Sequence, residues 1–100
     1  MMMDHKISTT IHVTDIFHFK DKTTVFVGKL VPHVDLSFPV SVSILTAGKF
    51  CRRVTLQGYR MPGDHLPEDH VVVYTDDSVD LDKQTVQSGE CLLVISDYDR

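Results

Sequence analysis

Apolar and polar residues alternate along most of the chain with a period of two, which is the period of a β-strand. In residues 10–20 one face of the predicted strand is apolar and carries Ile11, Val13, Phe17 and Phe19. The opposite face carries Thr10, His12, Thr14, His18 and Lys20. Two residues interrupt this order, because Asp15 falls on the apolar face and Ile16 on the polar one. A partner strand is predicted over residues 23–31, which are rich in Val, Thr and Phe.

The remaining apolar runs predict four more strands, at residues 40–45, 50–57, 71–75 and 91–96. The last of these is almost continuously apolar, which is typical of a central strand. Arg52 occupies an apolar position of its strand, so a bulge or a sheet edge is expected beside it. No window of ten or more residues has the 3.6-residue period of a helix. The long connection at residues 61–70 contains two prolines and a glycine, which exclude a regular ladder.

Six or seven short strands separated by turn signals predict an all-β fold, either a small antiparallel barrel or a sandwich. A closed barrel is favoured, because closure removes the exposed strand edges of a sequence rich in Val, Ile and Thr. The chain has 100 residues, which is the length of one domain. We expect a single barrel domain over residues 10–100, preceded by a flexible N-terminus at residues 1–9.

The net charge of −4 favours some classes of binding partner over others. General binding to a phosphate backbone is disfavoured, whereas a mildly acidic surface suits a basic protein partner. The apolar runs are far shorter than the roughly 20 residues that span a bilayer, and no secretory signal is recognised. A cytoplasmic protein without membrane contact is therefore expected. Cys51 and Cys91 are predicted to be small buried residues rather than a disulfide or a nucleophile.

Residues 13–30 form two strand-like runs around the charged turn Lys20-Asp21-Lys22, with Gly28 after the second run. This segment resembles the opening hairpin of the second domain of translational GTPases such as elongation factor Tu. Residues 40–45, 53–59 and 87–95 resemble later strands of that domain in the same order, so the likeness extends over about 80 residues of the chain. Asp21 and Thr23 replace glycines that the family usually has, which implies a differently built turn or a left-handed Asp21.

The resemblance implies the barrel of that family and not its chemistry. In the family this barrel contacts the GTPase domain and, in some members, the acceptor end of tRNA. No phosphate-binding loop with a following Lys-Ser or Lys-Thr occurs in this chain, so no nucleotide is expected. No motif frames a catalytic triad either, and we predict no catalytic residue and no cofactor.

Acidic and histidine residues concentrate in two connections, which we predict to form the partner-binding surface. They are Asp64, His65, Glu68, Asp69 and His70 in the first connection, and Asp76, Asp77, Asp80 and Asp82 in the second. The first matches no recognised metal-ligand spacing, and the second lacks the Gly and Glu of an EF-hand loop. We therefore predict no metal site, and interpret the second cluster as a solvated hairpin tip.

The basic residues offer an alternative site. Lys49, Arg52, Arg53, Tyr59 and Arg60 are the only concentration of basic and aromatic residues, and such a group suits RNA phosphates and bases. His12 and His18 share one face of the first strand but lie about 20 Å apart, which is too far to share a metal ion.

The leading hypothesis is a non-catalytic binding module that acts through a protein–protein interface. One version is a small immunity or antitoxin-like inhibitor whose acidic surface blocks a basic nuclease. The alternative is an RNA-binding barrel, with tRNA as the candidate ligand. A metal-dependent enzyme centred on His65 and His70 is the third hypothesis. The sequence leaves the partner and the oligomeric state open.

Overall fold

A computed structural model describes residues 9–31, 36–60 and 69–95 of the chain. Within these ranges there are six strands: β1 (Thr9–His18), β2 (Thr24–Val31), β3 (Val40–Thr46), β4 (Lys49–Tyr59), β5 (His70–Thr75) and β6 (Cys91–Ile95). All neighbouring pairs are antiparallel, in the order β1-β2-β5-β4-β3-β6. Because β1 also pairs with β6, the sheet closes into a ring. The predicted all-β, antiparallel fold is confirmed, and predictions on residues 1–8 and 61–68 lie outside the described residues.

The interior of the ring is filled by apolar side chains from every strand. Each strand contributes at least one side chain that is completely buried, and these are Ile11, Phe26, Ile44, Leu56, Val73 and Leu93. Their alternation with exposed neighbours reproduces the period of two in the sequence. Because the ring is closed, every strand has two hydrogen-bonded neighbours. The last strand, β6, is therefore central as predicted, and so are the other five strands.

A β-bulge interrupts β1 at Thr14. Val13 lies opposite Gly28 and Asp15 lies opposite Val27, so Thr14 is the extra residue between two consecutive pairs. Gly28 suits this place, since a Cβ atom there would lie only 2.9 Å from the carbonyl carbon of His12. The bulge therefore depends on the close approach of the two backbones, which a larger residue at position 28 would prevent.

The bulge reverses which side chains point to the core in the second half of β1. Ile16 is completely buried, whereas Phe17 and Phe19 are 39% and 46% exposed. The prediction that both phenylalanines share the core face with the first half of the strand is therefore wrong. The physical reason is the inserted residue, which shifts the alternation by one position.

A second bulge lies in β4. Ile44 pairs with Arg52 and Leu45 pairs with Phe50, which leaves Cys51 as the extra residue. The predicted irregularity beside Arg52 is confirmed as a bulge and not an edge. The β3–β4 connection is the two-residue turn Ala47-Gly48, in which both residues have positive φ, at 51° and 78°. Such a turn matches the twist of the flanking strands.

The connection between β5 and β6 covers one end of the ring. Because β5 pairs with β2 and β4 while β6 pairs with β1 and β3, residues 76–90 cannot form a hairpin, and the predicted hairpin tip is wrong. We call these residues the cover segment. It includes the short helix α1 (Lys83–Thr85) and the π-helical segment Val86–Glu90. It contributes Val86, which is completely buried, together with two partly buried side chains that pack against the core, Val79 and Leu81.

Candidate binding site

Two of the four aspartates of the cover segment are used to hold the fold together. An Oδ2 atom of Asp77 accepts a hydrogen bond from the Thr55 backbone N–H at 2.8 Å. Oδ1 of Asp82 accepts from the Thr85 N–H at 2.8 Å, and the pKa of Asp82 is lowered by hydrogen bonds from Thr85, first that of its side chain and then that of its N–H. Asp76 and Asp80 are exposed. Asp82 is exposed as well, so three of these four aspartates lie at the surface, and two of the three accept no hydrogen bond from the fold among the described contacts.

The other predicted acidic group is only partly within the described residues. Asp69 and His70 form a contact of 3.1 Å between Oδ1 and Nδ1, and Lys29 lies 3.5 Å from the second carboxylate oxygen. The hydrogen bond with His70 is the main reason that the pKa of Asp69 is lowered. Asp64, His65 and Glu68 lie outside the described residues. In the part of the chain that the structure describes, no three His, Cys, Asp or Glu side chains are grouped to hold a metal ion.

The five residues proposed for RNA do not form one patch. Lys49 and Tyr59 are the two ends of β4, which at about 3.3 Å per residue places them roughly 30 Å apart along the strand. Arg52 donates to the backbone carbonyl of Ser78 in the cover segment. Tyr59 accepts a hydrogen bond at 3.1 Å from the Leu36 N–H. Two members of the set are therefore engaged inside the domain.

The outer face of the β1–β2 hairpin carries an aromatic cluster instead. Phe17, Val25 and Tyr74 are direct cross-strand neighbours on β1, β2 and β5. Val25 is only 4% exposed although it points away from the core, because the neighbouring side chains cover it. Such cross-strand aromatic and β-branched pairs stabilise a sheet. The result is a small second apolar cluster on the outside of the ring.

Lys83 covers one ring of this cluster. Its Nζ lies 3.9 Å from the centroid of Phe17. The same ammonium donates to Asp15 Oδ1 at 2.9 Å and to the Ile16 carbonyl at 2.8 Å. Burial acts to raise the pKa of Asp15, but the hydrogen bonds from Lys83 and from the Ile16 N–H outweigh it and lower the pKa. Lys83 is thus satisfied within the fold and fastens the cover segment to β1.

Arg60 lies over two other aromatic rings, those of Phe19 and Tyr74. Its guanidinium carbon lies 5.0 Å from the centroid of Phe19 and 6.0 Å from that of Tyr74. Tyr74 in turn lies over Gly58, where a Cβ atom would be 3.4 Å from the tyrosine ring. Arg60 was assigned to the RNA set by sequence, and the structure places it among the aromatic residues of the hairpin.

The hairpin turn presents further charges next to Phe19. Lys22 adopts φ 75°, so it is Lys22 and not Asp21 that takes the left-handed conformation. Asp21 accepts a hydrogen bond at 3.0 Å from the Thr23 N–H, which lowers the pKa of Asp21 with a smaller contribution from Arg60. A hollow of about 110 Å³ lies beside Phe19 and Lys22 and reaches the cover segment at Ser78.

His18 ties this hairpin to the cover segment. Its Nε2 lies 2.7 Å from the Leu81 carbonyl oxygen, so Nε2 carries the proton and donates. Its Nδ1 lies 3.5 Å from the Thr24 hydroxyl. We define the hairpin surface as the exposed residues Phe17, Phe19, Lys22 and Arg60 together with the half-buried Tyr74.

The two cysteines differ from each other. Cys91 is 1% exposed, and burial, with a smaller effect of Cys51, raises the pKa of its thiol to about 11. Cys51 is exposed, and its sulfur lies 3.0 Å from the Thr46 hydroxyl. The prediction of a buried residue is confirmed for Cys91 and wrong for Cys51, because the β4 bulge puts Cys51 outside the ladder.

The sequence interpretation missed Phe17 and Phe19 as surface residues. The available signal was the interruption at Asp15 and Ile16, which marks the point where the alternation shifts. The stacking of Arg60 on two distant aromatic residues has no local sequence signal.

A scan against family models finds no matching family, and searches of curated proteins and of solved structures find no match. The likeness to the second domain of translational GTPases accordingly stays a prediction. None of the described helices is long and apolar enough to cross a membrane.

Proposed function

We propose that this chain is a non-catalytic binding module that acts through a protein–protein interface centred on the hairpin surface. The observation that carries the proposal is the outward display of Phe17 and Phe19, which are 39% and 46% exposed. Large aromatic side chains on a rigid sheet are common anchors of protein interfaces, because they bury much area at little cost in side-chain entropy.

The way in which these rings are displayed supports a role in binding. A strand without the bulge would direct both phenylalanines to the core, and the bulge turns them outward instead. Bulges commonly serve to re-aim side chains in this manner. The flanking cations on Phe17 and Phe19 hold the rings in place and limit the apolar area that water meets.

The fold type is part of the proposal. The order of strands predicted from residues 13–30 onward supports a barrel like the second domain of translational GTPases, used here without a nucleotide-binding domain. The inhibitor version, in which an acidic surface blocks a basic nuclease, depends on the exposed Asp76, Asp80 and Asp82 together with residues 61–68. The hairpin surface offers large apolar side chains, which this acidic surface lacks, and we therefore place the interface on the hairpin surface.

The test compares one double variant with a single-substitution control in a quantitative capture experiment. Phe17→Ser/Phe19→Ser removes the proposed anchors, while Phe50→Ser removes a phenylalanine that is 63% exposed on another strand. Both immobilised variants are exposed to a lysate of the source organism beside the wild type. We expect the wild type and Phe50→Ser to retain the same specific partner and the double variant to lose it. Equal retention by all three forms would contradict the proposal, provided that circular dichroism shows each to be folded.

A further inference from the structure

We propose that the hairpin surface recognises a short acidic segment of its protein partner, with Arg60 and Lys22 binding the carboxylates. This inference rests on the proposed function and adds the chemistry of the partner. It is carried by the position of a guanidinium against two rings, by a second exposed cation beside one of them, and by the charges that surround the pair.

The guanidinium of Arg60 is positioned to bind a planar anion. Its guanidinium lies 5.0 Å from the Phe19 ring centroid and 6.0 Å from that of Tyr74. Contact with aromatic rings restricts the long side chain without using its N–H donors. Within the described residues, the ion pairs are those of Lys29, His70 and Lys83, and none involves Arg60. A carboxylate is the anion whose two oxygens match the arginine fork.

Lys22 supplies a second cation next to Phe19. It lies in the turn, it is exposed, and its backbone is left-handed at φ 75°. Lys22 and Phe19 both border the hollow of about 110 Å³ that opens toward Ser78. Phe19 thus lies close to both cations, and an aliphatic or aromatic side chain of the partner has a ring to pack against. The surface therefore combines apolar and cationic contacts.

Nearby carboxylates define the limits of this surface. Asp21 is in the same turn and its charge interacts with that of Arg60, but one of its oxygens already accepts from the Thr23 N–H. Asp15 is paired with Lys83. The cover segment, which borders the hollow at Ser78 and Val79, also carries Asp76 and Asp80, and both are exposed. Lys20, also exposed in the turn, adds a third cation, and the local positive charge is therefore confined to the turn and Arg60.

The small size of this positively charged area favours a short acidic segment over a nucleic acid as the ligand. A phosphate backbone carries a continuous row of negative charges, and it would meet the exposed aspartates of the cover segment and a chain of net charge −4. An acidic peptide needs only one or two carboxylates at the cations and is free to place neutral or basic residues against the aspartates.

The experiment uses the full chain and a defined probe. The probe is a fluorescein-labelled decapeptide of alternating glutamate and leucine, and its isosteric control has glutamine in place of glutamate. A labelled single-stranded oligouridylate of similar charge tests the nucleic-acid outcome. Binding is measured by fluorescence anisotropy with wild type, Arg60→Gln and Arg53→Gln. Arg53 is exposed on β4 outside the hairpin surface, so its change alters the net charge equally.

We expect the glutamate peptide to bind and the glutamine peptide to bind at least tenfold more weakly. Arg60→Gln should weaken binding of the glutamate peptide by about tenfold, the loss expected for one hydrogen-bonded charge pair, whereas Arg53→Gln should change it by less than about twofold. Arg60→Lys should recover only part of the loss, since an ammonium lacks the planar fork.

Three results would overturn the inference. They are equal affinity for the two peptides, equal effects of the two arginine variants, and binding of the oligouridylate in preference to the glutamate peptide. If Phe17→Ser/Phe19→Ser loses the captured partner while Arg60→Gln keeps it, the proposed function stands and the acidic partner does not. Thermal unfolding of each variant confirms that a lost affinity is not a lost fold.

Discussion

The facing of the second half of β1 can be tested by comparing Ile16→Ala with Phe17→Ala. With the bulge at Thr14, Ile16 is a core residue at 0% exposure and Phe17 is a surface residue at 39%. Regular alternation along the strand would assign these roles the other way round. The two substitutions therefore report on the bulge through the relative size of their effects on the free energy of unfolding.

The magnitudes follow from the burial of each side chain. Replacing a fully buried Ile by Ala costs about 2–5 kcal/mol, since a cavity remains, and we take about 3.5 kcal/mol for Ile16. Full burial of a Phe side chain contributes about 1.5–3 kcal/mol. With 39% of Phe17 exposed, roughly three-fifths of that gain is present, so Phe17→Ala should cost about 1.5 kcal/mol including its contact with Lys83.

Urea unfolding followed by circular dichroism measures both costs at constant m-value. In a domain of this size each kcal/mol corresponds to about 4–8 °C in the melting temperature, so calorimetry gives an independent reading. We expect Ile16→Ala to be at least twice as destabilising as Phe17→Ala. A cost for Phe17→Ala equal to or above that for Ile16→Ala would refute the bulge and, with it, the surface position of the aromatic rings.

Three other outcomes are expected. Lys22→Gly should stabilise the protein by about 0.5–1 kcal/mol in urea unfolding, because glycine adopts the left-handed conformation at φ 75° without the penalty of a Cβ atom. The control Lys20→Gly should not stabilise the protein. A loss of stability for Lys22→Gly would contradict this prediction. At pH 8 a thiol reagent should label Cys51 quickly and Cys91 only as the protein opens, since burial raises the pKa of Cys91 to about 11, and equal labelling rates would be inconsistent with that burial. The folded-state pKa values of Asp15, Asp21, Asp69 and Asp82 are lowered below 3.8, so the stability they contribute is present above that pH and is lost as the pH falls through the folded-state values. The urea midpoint should therefore change little between pH 7 and 5 and should fall below pH 4, and a midpoint that rises on acidification would show the sign to be wrong.

The strands were predictable from sequence because each is a short run with a period of two. The predicted bounds of β2 (Thr24–Val31) and β5 (His70–Thr75) differ from the observed ones by one residue. Even the irregularity in β4 left a signal, since Arg52 occupies an apolar position. These features depend on the local preference of each segment and on its need for one buried face.

The bulge in β1 and the path of the cover segment were harder to predict. A bulge depends on which residue of the partner strand lies opposite, and Gly28 is 14 positions away from Thr14 in the sequence. Residues 83–90 contain one turn of α-helix and a π-helical turn, which is too short for a helical period to be recognised.

The candidate site depends on contacts that are distant in sequence. Arg60 stacks on Phe19 and Tyr74, and Lys83 stacks on Phe17. Arg60, at the end of β4, reaches these rings because β5 pairs with both β4 and β2, and Lys83 reaches Phe17 through the path of the cover segment. The sequence therefore identified Arg60 as a candidate but gave it the wrong neighbours.

Site-specific photo-crosslinking tests the central claim that the hairpin surface is the interface. Benzoylphenylalanine is introduced at position 19 and, as a matched control, at position 50, where the native phenylalanine is also exposed. After irradiation in cells of the source organism, position 19 should give a specific covalent adduct with one partner protein, and position 50 should not. Adducts from position 50 with none from position 19 would contradict the account.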